Sequence, residues 1–282
     1  FDNTARVYSN NGYVYFEPYT PSIDIDVGGA GTGTLQLTQT VLDDVIGADT
    51  IVVGNTNVDT GNITAYSYNW STNAQLLDYT GDIVIEGAQT MGNHSFLAWT
   101  VGGDITINPK GGVTSWAKGN AIILAASNGK FLNYRGSDAL DASEGGRWLV
   151  YSNNPWDDVF GGLDSGNYAI WNTVYSGTPA SQSGNRYLFA YQPSLTITLA
   201  DLTKMIGQDY TAVVAGDYVV TGLVTGFTGA FLDDTITVDV TSTGSPASAP
   251  IGGYPIIVSG YDISGNGNNG YNVAYNTATL TV

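Results

Sequence analysis

The sequence predicts an all-β chain whose larger part is a β-solenoid, and three observations carry that expectation. First, Gly61-Asn62-Ile63-Thr64 returns as Gly81-Asp82-Ile83-Val84 and as Gly103-Asp104-Ile105-Thr106, at intervals of 20 and 22 residues. A period near 20 with a turn signal leading into an alternating strand suits stacked coils, each of which must return to the same place on the stack. Second, 37 Gly and 19 Tyr among abundant Asn, Thr and Ser favour strands and turns over helices. Third, residues 119–193 break the short repeat and concentrate aromatics, including Trp148, Trp156, Trp171, Tyr187 and Tyr191. A solenoid end exposes strand edges and a cut core, so a bulky cap is expected there.

Taken in order, Val14-Tyr15-Phe16 reads as a short aromatic strand between turns. Ile23-Asp24-Ile25-Asp26-Val27 alternates strictly, which predicts one apolar face and two outward aspartates. A Gly-rich loop at 28–33 follows, then Leu35-Gln36-Leu37-Thr38, a short helical turn within 40–46, and the strand Asp49 to Gly54 that precedes the first repeat. From Ser194 the texture changes. Leu195 to Leu199, Val213-Val214, Tyr218 to Val220, Thr235 to Val240, Ile256 to Val258 and Thr279 to Val282 read as six strands of a separate small β domain, with residues 241–253 as a flexible loop inside it. The expected organisation is therefore coils over 1–118, a cap over 119–193 and a C-terminal module over 194–282.

Charge narrows the function. The net charge is −17, from 25 acidic and eight cationic residues, and only Glu17, Glu86 and Glu144 are not Asp. Asp sits readily in turns, so much of this charge is turn chemistry. Nucleic acid and anionic membranes call for basic patches, which eight scattered cations do not supply. No cysteine is present, which excludes disulfides and thiolate metal sites and suits an exported bacterial protein. No apolar run approaches the roughly 20 residues of a membrane-spanning helix. The start at Phe1 reads as a processed product or an excised fragment.

The run Ile25-Asp26-Val27-Gly28, Leu35-Gln36-Leu37, Leu42-Asp43-Asp44-Val45, Thr50 to Gly54 and Thr60 to Thr64 resembles the coils of filamentous-haemagglutinin-like adhesins, the passengers of two-partner secretion. Gly146-Arg147-Trp148 through Pro155, Phe160-Gly161-Gly162-Leu163, and Gly184-Asn185-Arg186 through Pro193 resemble, in order, the segment that closes such regions. The phrases Lys204 to Gly207, Val220 to Gly226, Gly252 to Ile256 and Tyr271 to Leu280 resemble the Gly-rich β modules that follow it, with Ile206 where those modules usually carry Tyr. The resemblance implies a right-handed parallel β-helix with an aromatic cap. It also implies a secreted or cell-surface bacterial adhesin that attaches to host surface, cells or biofilm matrix without catalysis. Its partner would be a carbohydrate or protein receptor.

Several motifs compete with that reading. Gly265-Asn266-Gly267-Asn268-Asn269-Gly270 fits a dinucleotide loop but leads into the strand-like Tyr271 to Tyr275, so a turn is preferred. Gly28 to Gly33 starts like a calcium-binding nonapeptide yet has Gly33 where Asp should stand. The pairs Asp24/Asp26, Asp43/Asp44, Asp157/Asp158 and Asp233/Asp234 leave calcium open, although each pair offers far fewer than the six to eight oxygens that calcium takes. No other cofactor and no metal site is assigned. His94 is the only histidine and stands beside Ser95; Asp82 and Asp104 could align on adjacent coils as a glycosidase-like pair, but Asn62 at the same repeat position points to a turn requirement. Asn62, Asn69 and Asn93 each head an N-glycosylation acceptor triplet. Trp156, with Asp157 and Asp158 beside it, is the preferred exposed aromatic for a ligand, with Trp148 and Trp171 as further candidates that also suit a core. Two rival functions stand behind adhesion: a filament subunit that pairs its N-terminal strand with the next molecule, and a polysaccharide-active enzyme.

Overall fold

A computed structural model of the chain describes residues 6–29, 31–58, 61–227 and 229–282. Phe1 of the expected N-terminal strand, Ala30 of the Gly-rich loop and Thr60 of the first repeat lie outside the described residues. The fold is mostly strand; among the described residues the only helices are Gln39–Asp43, Thr211–Gly216 and the 3-10 turn Pro155–Asp157. The chain divides into two compact units. Of the described residues, the first holds 6–169, 173–191 and 229–232, and the second holds 170–172, 192–227 and 233–282.

In the first unit the chain visits three larger parallel sheets in turn, beside a two-stranded parallel pair, Val7–Tyr8 with Val45–Ile46. One face has seven strands, running from Tyr13–Phe16 through Thr50–Gly54, Asn73–Asp78, Phe96–Thr100, Gly119–Ala126 and Gly146–Ser152 to Arg186–Phe189. The second has six: Leu35–Leu37 at its edge, then Ile25–Val27, Ile63–Ala65, Ile83–Ile85, Ile105–Ile107 and Phe131–Asn133. The third has four: Tyr68–Asn69, Ala88–Thr90, Gly112–Thr114 and Leu140–Asp141. Because every pairing in these three sheets is parallel and, apart from one bulge between Asn120 and Ile122, in register, equivalent residues form columns. Ile25, Ile63, Ile83, Ile105 and Phe131 make one inward column and are all fully buried. Ile51, Ala74, Phe96, Ile122 and Trp148 make another. Each buried aliphatic side chain contributes about 1.5–3 kcal/mol of transfer free energy, so these columns are the main source of cohesion.

The repeat that marks the sequence is a stacking device. Gly61, Gly81, Gly103 and Gly129 lie above one another so closely that a Cβ on Gly103 would sit 2.0 Å from the carbonyl oxygen of Gly81. The next residue in each phrase passes its side chain along the stack. Asp24 Oδ1 accepts from the Asn62 N–H (2.8 Å), Asn62 Oδ1 from the Asp82 N–H (2.9 Å), Asp82 Oδ1 from the Asp104 N–H (2.8 Å) and Asp104 Oδ1 from the Lys130 N–H (2.8 Å).

Four expectations are corrected. The regular rounds do not stop at residue 118: Gly129-Lys130-Phe131 stands where the repeat should, with Phe131 opposite Ile105, and Gly146–Ser152 extends the seven-stranded face. Asp26 is buried, not outward, because Gly31 and Gly33 close over it and the Gly33 N–H donates to its Oδ2 at 2.6 Å. Val213-Val214 lies in the helix Thr211–Gly216. The segment 241–253 is tethered: the buried Lys204 ammonium donates to the carbonyls of Gln208, Ser245 and Pro246 at 2.9, 3.0 and 2.6 Å.

Aromatic rings cluster where the seven-stranded face ends. Phe160, Tyr187, Phe189 and Phe231 gather with Trp148 over the end of the first unit's core, with the Phe160 and Tyr187 rings edge-on at 4.9 Å. The Tyr187 hydroxyl donates to the Leu163 carbonyl.

The second unit contains a three-stranded sheet, Tyr218–Thr221, Ser194–Leu199 and Asn272–Tyr275, and a four-stranded sheet, Leu202–Thr203, Ala278–Thr281, Gly253–Ile263 and Ile236–Thr241. Its polar centre is the buried carboxylate of Asp234. Trp171 Nε1 and the Tyr271 hydroxyl donate to Oδ2 at 2.7 and 2.6 Å, and the Ser264 hydroxyl donates to Oδ1 at 2.6 Å.

Candidate functional site

Of the five proposed ligand-binding residues, the structure leaves two facing solvent and encloses three to different degrees. Trp148 is 2% exposed because its place in the inward column is opposite Ile122, and Trp171 is 1% exposed because its indole N–H is committed to Asp234. Neither presents a face to a ligand, which corrects the expectation for both. Asp158 is partly buried and is held by the Phe131 N–H and the Ser152 hydroxyl at 2.8 and 2.5 Å. Burial dominates these two hydrogen bonds and pushes its carboxyl up to about 7.

Trp156 and Asp157 are exposed. They occupy the 3-10 turn Pro155–Asp157, whose start Asn154 caps through its side-chain oxygen, accepting from the Trp156 N–H at 3.2 Å. Pro155 at the first helical position fixes the local backbone. The partner that sequence reasoning did not assign to the site is Tyr191, whose ring meets Trp156 edge-on at 5.0 Å. Trp156 is 54% and Tyr191 39% exposed, so the two rings form a ridge beside a free carboxylate. Their 35-residue separation hid the pair; the available signal was that both flank the closing segment in polar company.

The remaining candidates are placed as follows. Asp82 and Asp104 do align on adjacent rounds, yet each accepts a backbone N–H from the next round, which is the turn requirement that Asn62 meets as well. Ser95 directs its hydroxyl to Asn73 Oδ1 and not to His94. The acidic pairs divide between separate donors: Asp24 takes the Asn62 N–H and Asp26 that of Gly33, Asp43 takes the Tyr68 hydroxyl while Asp44 pairs with Arg6, and Asp233 takes the Gly226 N–H. Among the described residues no cluster of three acidic or histidine side chains converges as metal ligands. The asparagines of the three acceptor triplets are exposed, Asn62 in the stacking ladder, Asn69 in a strand of the third face and Asn93 in the turn after Ala88–Thr90. Asn69 borders a groove of about 310 Å³ shared with Asp43, Tyr68 and Thr90.

No protein-family model, curated protein or solved structure matches the chain.

Proposed function

We propose that the chain is a non-catalytic adhesin fragment of a secreted or surface-displayed bacterial protein, similar to the filamentous-haemagglutinin-like class. Its first unit is then a right-handed parallel β-helix and its second a following spacer module. The observation that carries this reading is the half-exposed Trp156–Tyr191 pair next to Asp157, set on a stack of rounds tied by backbone ladders and closed by an aromatic cluster. Exposed aromatics on a stiff support suit contact with sugars or protein surfaces at small entropic cost. Many weak contacts of this kind, repeated along or among molecules, give firm attachment. The net charge of −17 keeps such molecules apart in solution. No helix among the described residues is long and apolar enough to cross a membrane.

The test is attachment of the purified chain to cultured epithelial cells and to biofilm matrix, compared with a Trp156→Ala/Tyr191→Ala variant. Attachment reduced about tenfold in the variant is the expected result. Equal attachment by the two proteins, or none by either, overturns the reading.

A second reading has its own observation. Tyr13–Phe16 is an outer strand of the seven-stranded face, paired on one side with Thr50–Val53, and both Tyr13 and Tyr15 are exposed. Such an edge can accept a strand from another copy. Filaments that persist unchanged after deletion of residues 1–16 would remove self-assembly by this route.

A further inference from the structure

Three successive rounds of the first unit bring Asn93, Trp116, Lys118 and Glu144 together around an open groove of about 500 Å³. Each comes from the turn that follows a strand of the four-stranded face: Ala88–Thr90, Gly112–Thr114 and Leu140–Asp141. Trp116 is 48% exposed, yet its position is fixed. Its N–H donates to the Gly92 carbonyl at 2.6 Å, and the preceding Ser115 is fully buried, donating to the His94 carbonyl at 2.7 Å and accepting from the Ala117 N–H. Glu144 holds a left-handed backbone (φ 65°), a costly conformation for a residue with a side chain, and Gly145 continues it (φ 89°). Lys118 and Glu144 form no ion pair among the described residues, so both heads are available in the groove.

We propose that this groove binds a saccharide, with one pyranose ring stacked on the Trp116 indole and its hydroxyls bonded by Asn93, Lys118 and Glu144. The indole is the only large apolar surface in the lining, and the other three side chains supply donors and acceptors of both charges. A sugar ring has the matching form, with C–H groups on one face and hydroxyls around the edge. An apolar peptide side chain would need an enclosed aliphatic pocket. A nucleotide could stack equally well, but its phosphates would meet Glu144 and a chain of net charge −17. Gly119 and Gly145, the chain neighbours of Lys118 and Glu144, line a second groove of about 410 Å³ together with Asn120, Arg147 and Ser183. The ligand is accordingly a stretch of glycan chain longer than one residue.

This deepens the adhesion reading and rests on it for its biological setting. The experiment incubates the full chain with immobilised neutral and uronic-acid-containing oligosaccharides, and assays the same proteins for cell and matrix attachment. The wild type is expected to bind at least one oligosaccharide. Trp116→Ala should weaken that binding about tenfold and Trp116→Phe less, Glu144→Gln and Asn93→Ala should each weaken it severalfold, and Met205→Ala, at an exposed position that lines neither groove, should leave it within about twofold. Unchanged melting temperatures guard against misfolded variants. Wild-type affinity retained in Trp116→Ala, or no oligosaccharide bound by the wild type, overturns the site. Attachment that survives either of those results leaves adhesion standing, whereas glycan binding without attachment sinks adhesion and keeps the site.

Discussion

The Asp104 N–H donates to the Asp82 carboxylate at 2.8 Å, across the gap between two rounds of the chain. The contact uses a side-chain acceptor for a turn amide that parallel strand pairing leaves unserved, and Asn62 performs the same task one round earlier. Asp82→Asn should therefore be close to neutral, while Asp82→Ala should cost about 1 kcal/mol by leaving the Asp104 amide to water. Thermal melts of the two variants check the ordering; an alanine variant as stable as the asparagine one refutes it.

Gly103→Ala should be far more costly, at about 3 kcal/mol or more, since the added Cβ would lie 2.0 Å from the Gly81 carbonyl oxygen and backbone must move on both rounds. Gly216→Ala is the matched control: its Cβ meets nothing within 4 Å and the backbone is not left-handed, so no loss is expected. Chemical denaturation of both proteins measures the difference.

Asp158 makes the first unit sensitive to acid in an unusual direction. Its folded carboxyl titrates at about 7 against an ordinary value of 3.8, so the folded state holds the proton more tightly than the unfolded one. The contribution of Asp158 to stability is then fully present below about pH 4 and is lost as pH rises through 7. Relative to wild type, Asp158→Asn should gain stability at pH 8 and little at pH 5, because Asn keeps the acceptor for the Phe131 N–H without a charge to bury. Melting temperatures at the two pH values test the sign; a wild-type minus variant difference that does not change with pH contradicts it.

Lys204→Met should free residues 242–250 without abolishing the sheets of the second unit. The substitution retains the buried stem but leaves the carbonyls of Gln208, Ser245 and Pro246 without their shared donor, at a cost of about 2–4 kcal/mol. Amide hydrogen exchange should accelerate in that segment first. Uniform acceleration throughout the unit would show that Lys204 does not act locally.

How much of this was legible in the sequence follows from which constraints are periodic. The glycine and Asp/Asn column recurs because every round must pass the same tight point, so 61–64, 81–84 and 103–106 announce it. The round through Gly129-Lys130-Phe131 escapes that pattern because its interval is 26 residues and because Lys and Phe replace Asp and Ile. The burial of Asp26 is invisible to alternation, which carries no information on Gly31 and Gly33 closing over the outer face. Val213-Val214 is too short for its β-branched residues to decide between strand and helix. Trp156 is legible through its polar neighbours, but Tyr191 and the Trp116 groove depend on residues that only folding brings together. The one signal at Trp116 was a lone Trp between Ser115 and the turn Ala117-Lys118-Gly119.

The side-chain ladder also has a polarity. From Asp24 to Asp104 every rung offers an acceptor forward, to an amide that comes later in the chain, so each finished round is a template for the one after it. Growth can thus proceed from the N-terminal side without waiting for distant segments. Lys130 has only donors on its side chain and cannot extend the series; Asp158, from the far side, instead reaches back to the Phe131 amide. That reversal is a stop signal written in hydrogen-bond direction, placed where the aromatic closure takes over.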